Sequence, residues 1–190
     1  MFDLVQFPLK PHKHCPMKVS IVFIALFVVT LSGVAQVDYD KKLKELKVEL
    51  IKPTAPMANY VKAVRVGNLI FLAGHGPTKA DGSNITGKVG KDLSLELAYM
   101  AARQTGISML STLKAELGDL NKVKRVVKVL GMVNCTDDFV DHPKVINGFS
   151  DLIVSVFGAE KGLHARSAVG MCSLPSNIAV EVEMIVEVSE

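Results

Sequence analysis

Arg166 lies in the run His-Ala-Arg-Ser-Ala-Val-Gly-Met, residues 164–171, and is the only arginine after Arg125. An apolar stretch follows it, so its charge stands apart from any charged surface run. A guanidinium is permanently charged, planar and forked, and it matches a carboxylate through paired hydrogen bonds. A small-molecule anchor and a structural or interface salt bridge are the two uses of such a residue. His75 sits between Gly74 and Gly76; a histidine so placed is ordinarily at the surface, but its near-neutral titration would let it supply a polar contact in a site. Near the C-terminus Glu181, Glu183 and Glu187 alternate with apolar residues. An exposed acidic face is the simple reading. A buried Glu183 would instead have a raised pKa and could move a proton.

The elements that must position these groups follow from periodicity and punctuation. Residues 38–50 read as a short charged helix or an extended arm with Leu43, Leu46 and Leu50 on one stripe, ended by Pro53 and Pro56. Tyr60–Arg65 and Leu69–Ala73 flank Gly67-Asn68 as a hairpin, and a turn-rich loop from Gly74 to Ser83 follows. Asp92–Leu117 is the strongest helix: Asp92 or Ser94 caps it, Gly118 stops it, and Leu93, Leu97, Met100, Ala101, Gln104, Ile107, Ser108 and Leu110–Ser111 trace its packing face. Gly106 within it costs about 1 kcal/mol against Ala, which a close approach to a helix or sheet would offset. Val123–Val133 is a strand with Lys124, Arg125 and Lys128 toward an edge or solvent. Val140–Phe157 is a second helix with Pro143 in its first turn, and Gly158 to Gly162 turns the chain.

Ser167–Ser173 and Val180–Val188 complete the set as strands. The order is β-β-α-β-α-β-β, an α+β sandwich of two helices on a mixed sheet. Ile185 interrupts the acidic face of the last strand, which indicates that another element or subunit covers part of it.

The N-terminal third is of a different kind. Met17-Lys18, a largely apolar run Val19–Leu31 and small residues up to Ala35 form the three parts of an export signal. The run is too short for an ordinary transmembrane helix, so a soluble secreted or periplasmic product is expected, with no stable membrane insertion. Met1–Pro16 reads as an extension or a misassigned start. Its His12-Lys13-His14-Cys15 has metal-ligand residue types in an incidental, low-complexity cluster. The chain carries 22 basic and 19 acidic residues, net +3; removing residues 1–35 takes away three lysines and one aspartate, leaving 19 against 18. That balance gives no electrostatic case for a nucleic-acid partner. Cys135 and Cys172, the two cysteines left after such processing, are expected as separate buried thiols. No metal-ligand spacing, P-loop or dinucleotide loop is present, and no cofactor is expected.

Several ordered pieces carry a likeness: Pro53-x-x-Pro-x-x-Asn-Tyr60, Gly67-Asn-Leu-Ile-Phe-Leu-Ala-Gly74, Val126–Asn134, Ala165-Arg-Ser-Ala-Val169, Leu174-Pro175 and Val180-Glu-Val-Glu-Met-Ile185. From Lys52 to Val188 the chain resembles the RidA/YjgF/YER057c/UK114 family, also called endoribonuclease L-PSP. That resemblance implies a chorismate-mutase-like fold, a homotrimer with clefts between subunits, and hydrolytic deamination of small 2-imino or enamino acids to 2-keto acids and ammonia. It implies Arg166 as the substrate carboxylate anchor, Tyr60 as an aromatic wall, Gly74 as a backbone donor, Asn147 as the helix asparagine and Glu183 as the acid near the attacking water. His75 joins them as a candidate substrate contact. The chain departs from the family pattern at Ala73, where a serine is usual, at His75, at Ala168 and at Gly170. Those departures keep open a non-catalytic carboxylate-binding trimer and, after it, an endoribonuclease.

Overall fold

The computed structural model describes residues 37–56 and 58–189. The export signal, the Met1–Pro16 extension and the His12–Cys15 cluster lie outside the described residues. Gln36–Glu190 forms one compact unit. Its elements are α1 (Tyr39–Glu45), β1 (Ala63–Val66), β2 (Leu69–His75), α2 (Leu95–Leu117), β3 (Val123–Asn134), α3 (His142–Gly162), β4 (Ala165–Met171) and β5 (Val180–Val188), with 3-10 turns at Leu120–Lys122 and Pro175–Asn177. Within the segment 38–50 only Tyr39–Glu45 is helical, ending at Leu46 well before Pro53; this α1 is capped by the Asp38 carboxylate, which accepts from the Lys41 amide at 2.9 Å. Tyr39 and Leu43 seat it in the core, and the Tyr39 ring meets Phe157 at a centroid distance of 5.5 Å.

The sheet order is β1-β2-β5-β3-β4. β3 and β4 pair in parallel, and the other neighbours are antiparallel. The crossovers β2-α2-β3 and β3-α3-β4 step in the same direction along the sheet. With the handedness such connections share, both helices must then lie on one face. Ile70, Val129, Met184 and Val186 point from the sheet into that layer and meet Met109, Leu110, Leu113, Ile146, Phe149 and Ile153, all essentially without exposure. The other face of the sheet has no helix. Val64 and Phe71 on β1 and β2 are about half exposed there, and with Leu130 and Ile185 they line a hollow of ≈ 300 Å³. No helix among the described residues is long and apolar enough to cross a membrane.

The expected order of elements is present, and the structure settles or changes several local details. Ser94, rather than Asp92, caps α2, its Oγ accepting from the Leu97 amide; Asp92 instead accepts from Lys88 N. Leu97 and Met100 are exposed, because the buried face of the N-terminal half of α2 is made of small residues, Ala98, Ala101, Ala102 and Thr105, that admit α3. Gly158 breaks the second helix where the sequence places its end, with φ +77°, and a last helical stretch beyond the kink carries α3 to Gly162. β4 starts at Ala165 and stops at Met171, which leaves Cys172 exposed while Cys135 is buried; both thiols are free. β3 is an interior strand, so Lys128 lies over the sheet and donates to Ser167 Oγ at 2.9 Å.

The two helices approach most closely where glycines permit it. A side chain at Gly106 would meet the tip of Leu152 at 2.9 Å, whereas one at Gly148 would run into the Tyr99 carbonyl, a backbone group. A flexible tip can move aside, and Ala in place of a helical Gly gains about 1 kcal/mol, so Gly106→Ala should be close to neutral. Gly148→Ala must force the helices apart, and overpacking of that kind costs about 1–3 kcal/mol or more. Urea unfolding should rank Gly148→Ala well below both wild type and Gly106→Ala; equal midpoints for the two variants would contradict this packing.

Candidate functional site

A cleft of ≈ 300 Å³ opens where β1 and β2 meet the loop preceding β5, and Tyr60, Lys62, Gly74, His75, Ser176 and Glu181 are among its lining residues. The register between β2 and β5 shifts between Leu72 and His75, a bulge of the kind that re-aims side chains beside sites. Gly74 lies at that bulge. A Cβ there would collide with the Glu181 carboxylate, so the bare backbone is what lets this acid lie against β2. Burial pushes the Glu181 pKa up, and the neighbouring Glu183 charge adds to the shift. The loop enters the cleft with two residues in the left-handed region, Ser176 at φ 53° and Asn177 at φ 55°, a conformation costly for non-glycine side chains. Buried Asn134 holds it there, donating from Nδ2 to Asn177 Oδ1 at 2.9 Å and to the Ile178 carbonyl at 3.2 Å.

His75 is not at the surface. It is 3% exposed, with Nδ1 2.6 Å from the Ala73 carbonyl and Nε2 2.8 Å from Thr112 Oγ1. A carbonyl only accepts, so Nδ1 carries the proton and Nε2 takes the hydrogen bond from the Thr112 hydroxyl. Both ring nitrogens are thus used in tying β2 to α2. The imidazole borders the cleft without a free polar atom to offer a ligand.

Arg166 stands at the other end of the sheet. β4 is separated from β2 by β5 and β3, three interstrand steps or about 14 Å. Its guanidinium turns onto α3: Nη1 donates to Asn147 Oδ1 at 3.0 Å and to Ser150 Oγ at 2.9 Å, and Nη2 to the Pro143 carbonyl at 3.4 Å. His164 stands behind Ser150. Its Nδ1 lies 2.7 Å from the Gly162 carbonyl, so Nδ1 is protonated and Nε2 accepts from the Ser150 hydroxyl at 3.0 Å. Ser150 therefore presents a lone pair to the arginine. All three acceptors are neutral oxygens, and none of the ion pairs among the described residues involves Arg166.

Tyr60, Gly74 and His75 thus share one cleft, and Arg166 and Asn147 share a second locus that a single copy of the chain does not bring to the first. Glu183 belongs to neither. It is exposed and lines the hollow on the open sheet face with Phe71, Lys128 and Ile185; the glutamate in the Gly74 cleft is Glu181, one alternation earlier on the same strand face. Ser150 and His164 also escape a reading of the sequence, although Asn147 and Ser150, three apart on α3, share a helical face. The glycine at 170 has a local cause: a Cβ there would strike His142 Nε2 and come within 2.9 Å of Cys135 Sγ, and those two groups lie 3.3 Å apart. Among the described residues no three His, Cys, Asp or Glu side chains converge to hold a metal ion.

Comparison with known proteins identifies relatives of this chain. The family described as “YjgF/chorismate mutase-like, putative endoribonuclease” matches residues 40–188. Protein TCP17 of Trypanosoma cruzi is 41% identical over 159 residues, 84% of this chain and 99% of that protein. A 2-iminobutanoate/2-iminopropanoate deaminase of Dermatophagoides farinae is 27% identical over 132 residues, 69% and 87% of the two chains. The crystal structure of the protein Atu1372 from Agrobacterium tumefaciens superposes with a TM-score of 0.73 at 42% identity, over 80% of this chain and 94% of that one.

The His75 tie has a pH signature. Burial lowers its pKa from 6.5 to about 4, against the opposing effect of the Ala73 carbonyl and with a smaller push from Lys62. Above pH 6.5 the ring is neutral folded and unfolded, and it contributes no pH dependence. As pH falls from 6.5 toward 4 only the unfolded chain takes up the proton, so stability is lost across that window, on the order of 3 kcal/mol in all. NMR titration should find the ring neutral and Nδ1-protonated at pH 5, and unfolding of His75→Asn should be flatter with pH than that of wild type. A ring titrating near 6.5 in the folded chain would refute the assignment.

Proposed function

We propose, on the premise that the chain belongs to the YjgF/chorismate mutase-like family, that it hydrolyses small 2-imino or enamino acids to 2-keto acids and ammonia in a site completed by two copies of the chain. The observation that carries this reading is the state of Arg166: a half-buried guanidinium aimed by three neutral oxygens, with no acidic partner among the described residues. A charge held in that way keeps its fork for an incoming carboxylate. The deaminase of Dermatophagoides farinae acts, by its name, on substrates that carry such a group.

The chemistry asked of the residues is modest. Arg166 of the partner subunit holds the substrate carboxylate, and Tyr60 forms a wall beside it. Glu181, its pKa raised by burial, is suited to take a proton from the water that attacks the imine carbon, and to return it as the carbinolamine expels ammonia. Water supplies the oxygen, the C–N bond breaks, and the electron balance closes without oxidant or metal. The exposed apolar face bearing Val64 and Phe71 supports self-association, and the proposed assembly is a homotrimer. The hydroxyl absent at Ala73 favours a second reading, a trimer that binds carboxylates without turning them over.

The test is 2-keto acid formation from freshly generated imino acids. Arg166→Ala and Glu181→Gln should each lower kcat/KM at least about a hundredfold. Mixed and reassembled, the two variants should recover about a quarter of the wild-type rate, because one combination in four unites an intact arginine with an intact glutamate. A wild-type chain no faster than the spontaneous reaction would sink the enzyme reading, and a retained Arg166-dependent carboxylate signal would then leave the binding protein. We also propose export with removal of Met17–Ala35; N-terminal sequencing of the mature protein should begin at Gln36, and retention of the apolar run would overturn it.

A further inference from the structure

The Tyr60–Glu181 cleft contains a cation to which the reading above assigns no task. Lys62 is half-buried and lines the cleft. Its backbone carbonyl accepts from the Ala73 amide at 3.0 Å, which fixes it beside the Ala73-Gly74 step. Its ammonium donates to Thr54 Oγ1 at 2.7 Å, and Thr54 stands in a segment stiffened by Pro53 and Pro56. An ammonium has three donors, and this hydroxyl uses one.

Among the described residues no counter-ion answers the charge, and none of their ion pairs includes Lys62. Glu181 shares the cleft, yet its pKa is raised by burial and by Glu183, whereas a carboxylate in contact with an ammonium would be held down. Burial also lowers the Lys62 pKa, as expected for a cation that has given up water without gaining an anion. The ammonium instead turns to Thr54, whose side chain lines the same cleft, so its remaining donors stay at the cleft mouth.

We infer that Lys62 forms a second anion subsite in this cleft and that the preferred substrate is a 2-imino dicarboxylate, its α-carboxylate on Arg166 of the partner subunit and its side-chain carboxylate on Lys62. The inference rests on the deaminase reading and narrows its substrate class. A monocarboxylic imine leaves Lys62 desolvated and unpaired when the site is filled, and a site built around a polar contact discriminates against ligands that lack it.

The full chain, Lys62→Met and Lys62→Arg should be compared on imines freshly generated from glutamate and from alanine or leucine. Wild type should favour the glutamate-derived imine by about tenfold or more in kcat/KM; Lys62→Met should bring that ratio close to one, and Lys62→Arg should keep most of it. Calorimetric titration with 2-oxoglutarate and 2-oxobutanoate, stable analogues of the two product classes, should show the same Lys62-dependent preference. A wild-type ratio near one, or a ratio unchanged in Lys62→Met, overturns the subsite even where turnover is robust. Absence of any turnover overturns the deaminase reading, and the binding preference then decides the subsite separately: loss of it in Lys62→Met upholds the subsite, and indifference to the substitution rejects it.

Discussion

Helix α3 can present Asn147 and Ser150 to Arg166 because Gly148, which follows Asn147, lets the helix rest on the backbone of α2 at Tyr99. With a side chain at 148 the two helices would separate. The polar face of α3 would then shift against β4, which packs in parallel on β3. The same contact lets two long helices occupy one side of a five-stranded sheet and leaves the other side bare. Close packing of backbone on backbone transmits position with little slack, so the orientation of one guanidinium is set by an interhelical contact made by its neighbours' own helix.

The polar chemistry of the molecule has a common character. Arg166 is steered by an amide oxygen, a hydroxyl and a carbonyl; Lys62 by a hydroxyl; Glu181 by the space at Gly74. Each is at least half withdrawn from water, and among the described residues none has an opposite charge in contact. Such groups are costly to a fold that uses them for stability alone, because desolvation is not offset by pairing. Of the three, Lys62 and Glu181 share one cleft with shifted pKa values, the combination on which the proposed site rests. His75 is the contrasting case: fully satisfied by Ala73 and Thr112, it fastens the bulged end of β2 to α2 and so holds the wall on which Gly74 and Glu181 meet.

Much of this was open to inspection in the chain. Alternation in Val180–Val188 and the glycine and proline punctuation name the strands and helices in order, since burial on one face imposes a period that the residues must follow. Leu97 and Met100 escaped that reading: a helical stripe of large apolar residues and one of alanines share the same period, and only the proximity of α3 selects the second. The isolated charge of Arg166 was equally visible, whereas Gly74 and His75, read there as the start of a loop, belong to the bulged end of β2. The burial of His75 was not, because it depends on Thr112, far along the chain on another element.

What local sequence decides, then, is composition and phase: which residues share a face, where an element stops, which charge stands alone. A period of two cannot tell Glu181 from Glu183, since a shift of two residues returns to the same face. The bulge on β2 and the empty space at Gly74 choose Glu181. Nor does any local pattern report that Arg166 and Gly74 lie at opposite ends of the sheet. That distance is a product of strand order, which follows from how the crossovers pack, and it divides the candidate groups between two edges of each copy.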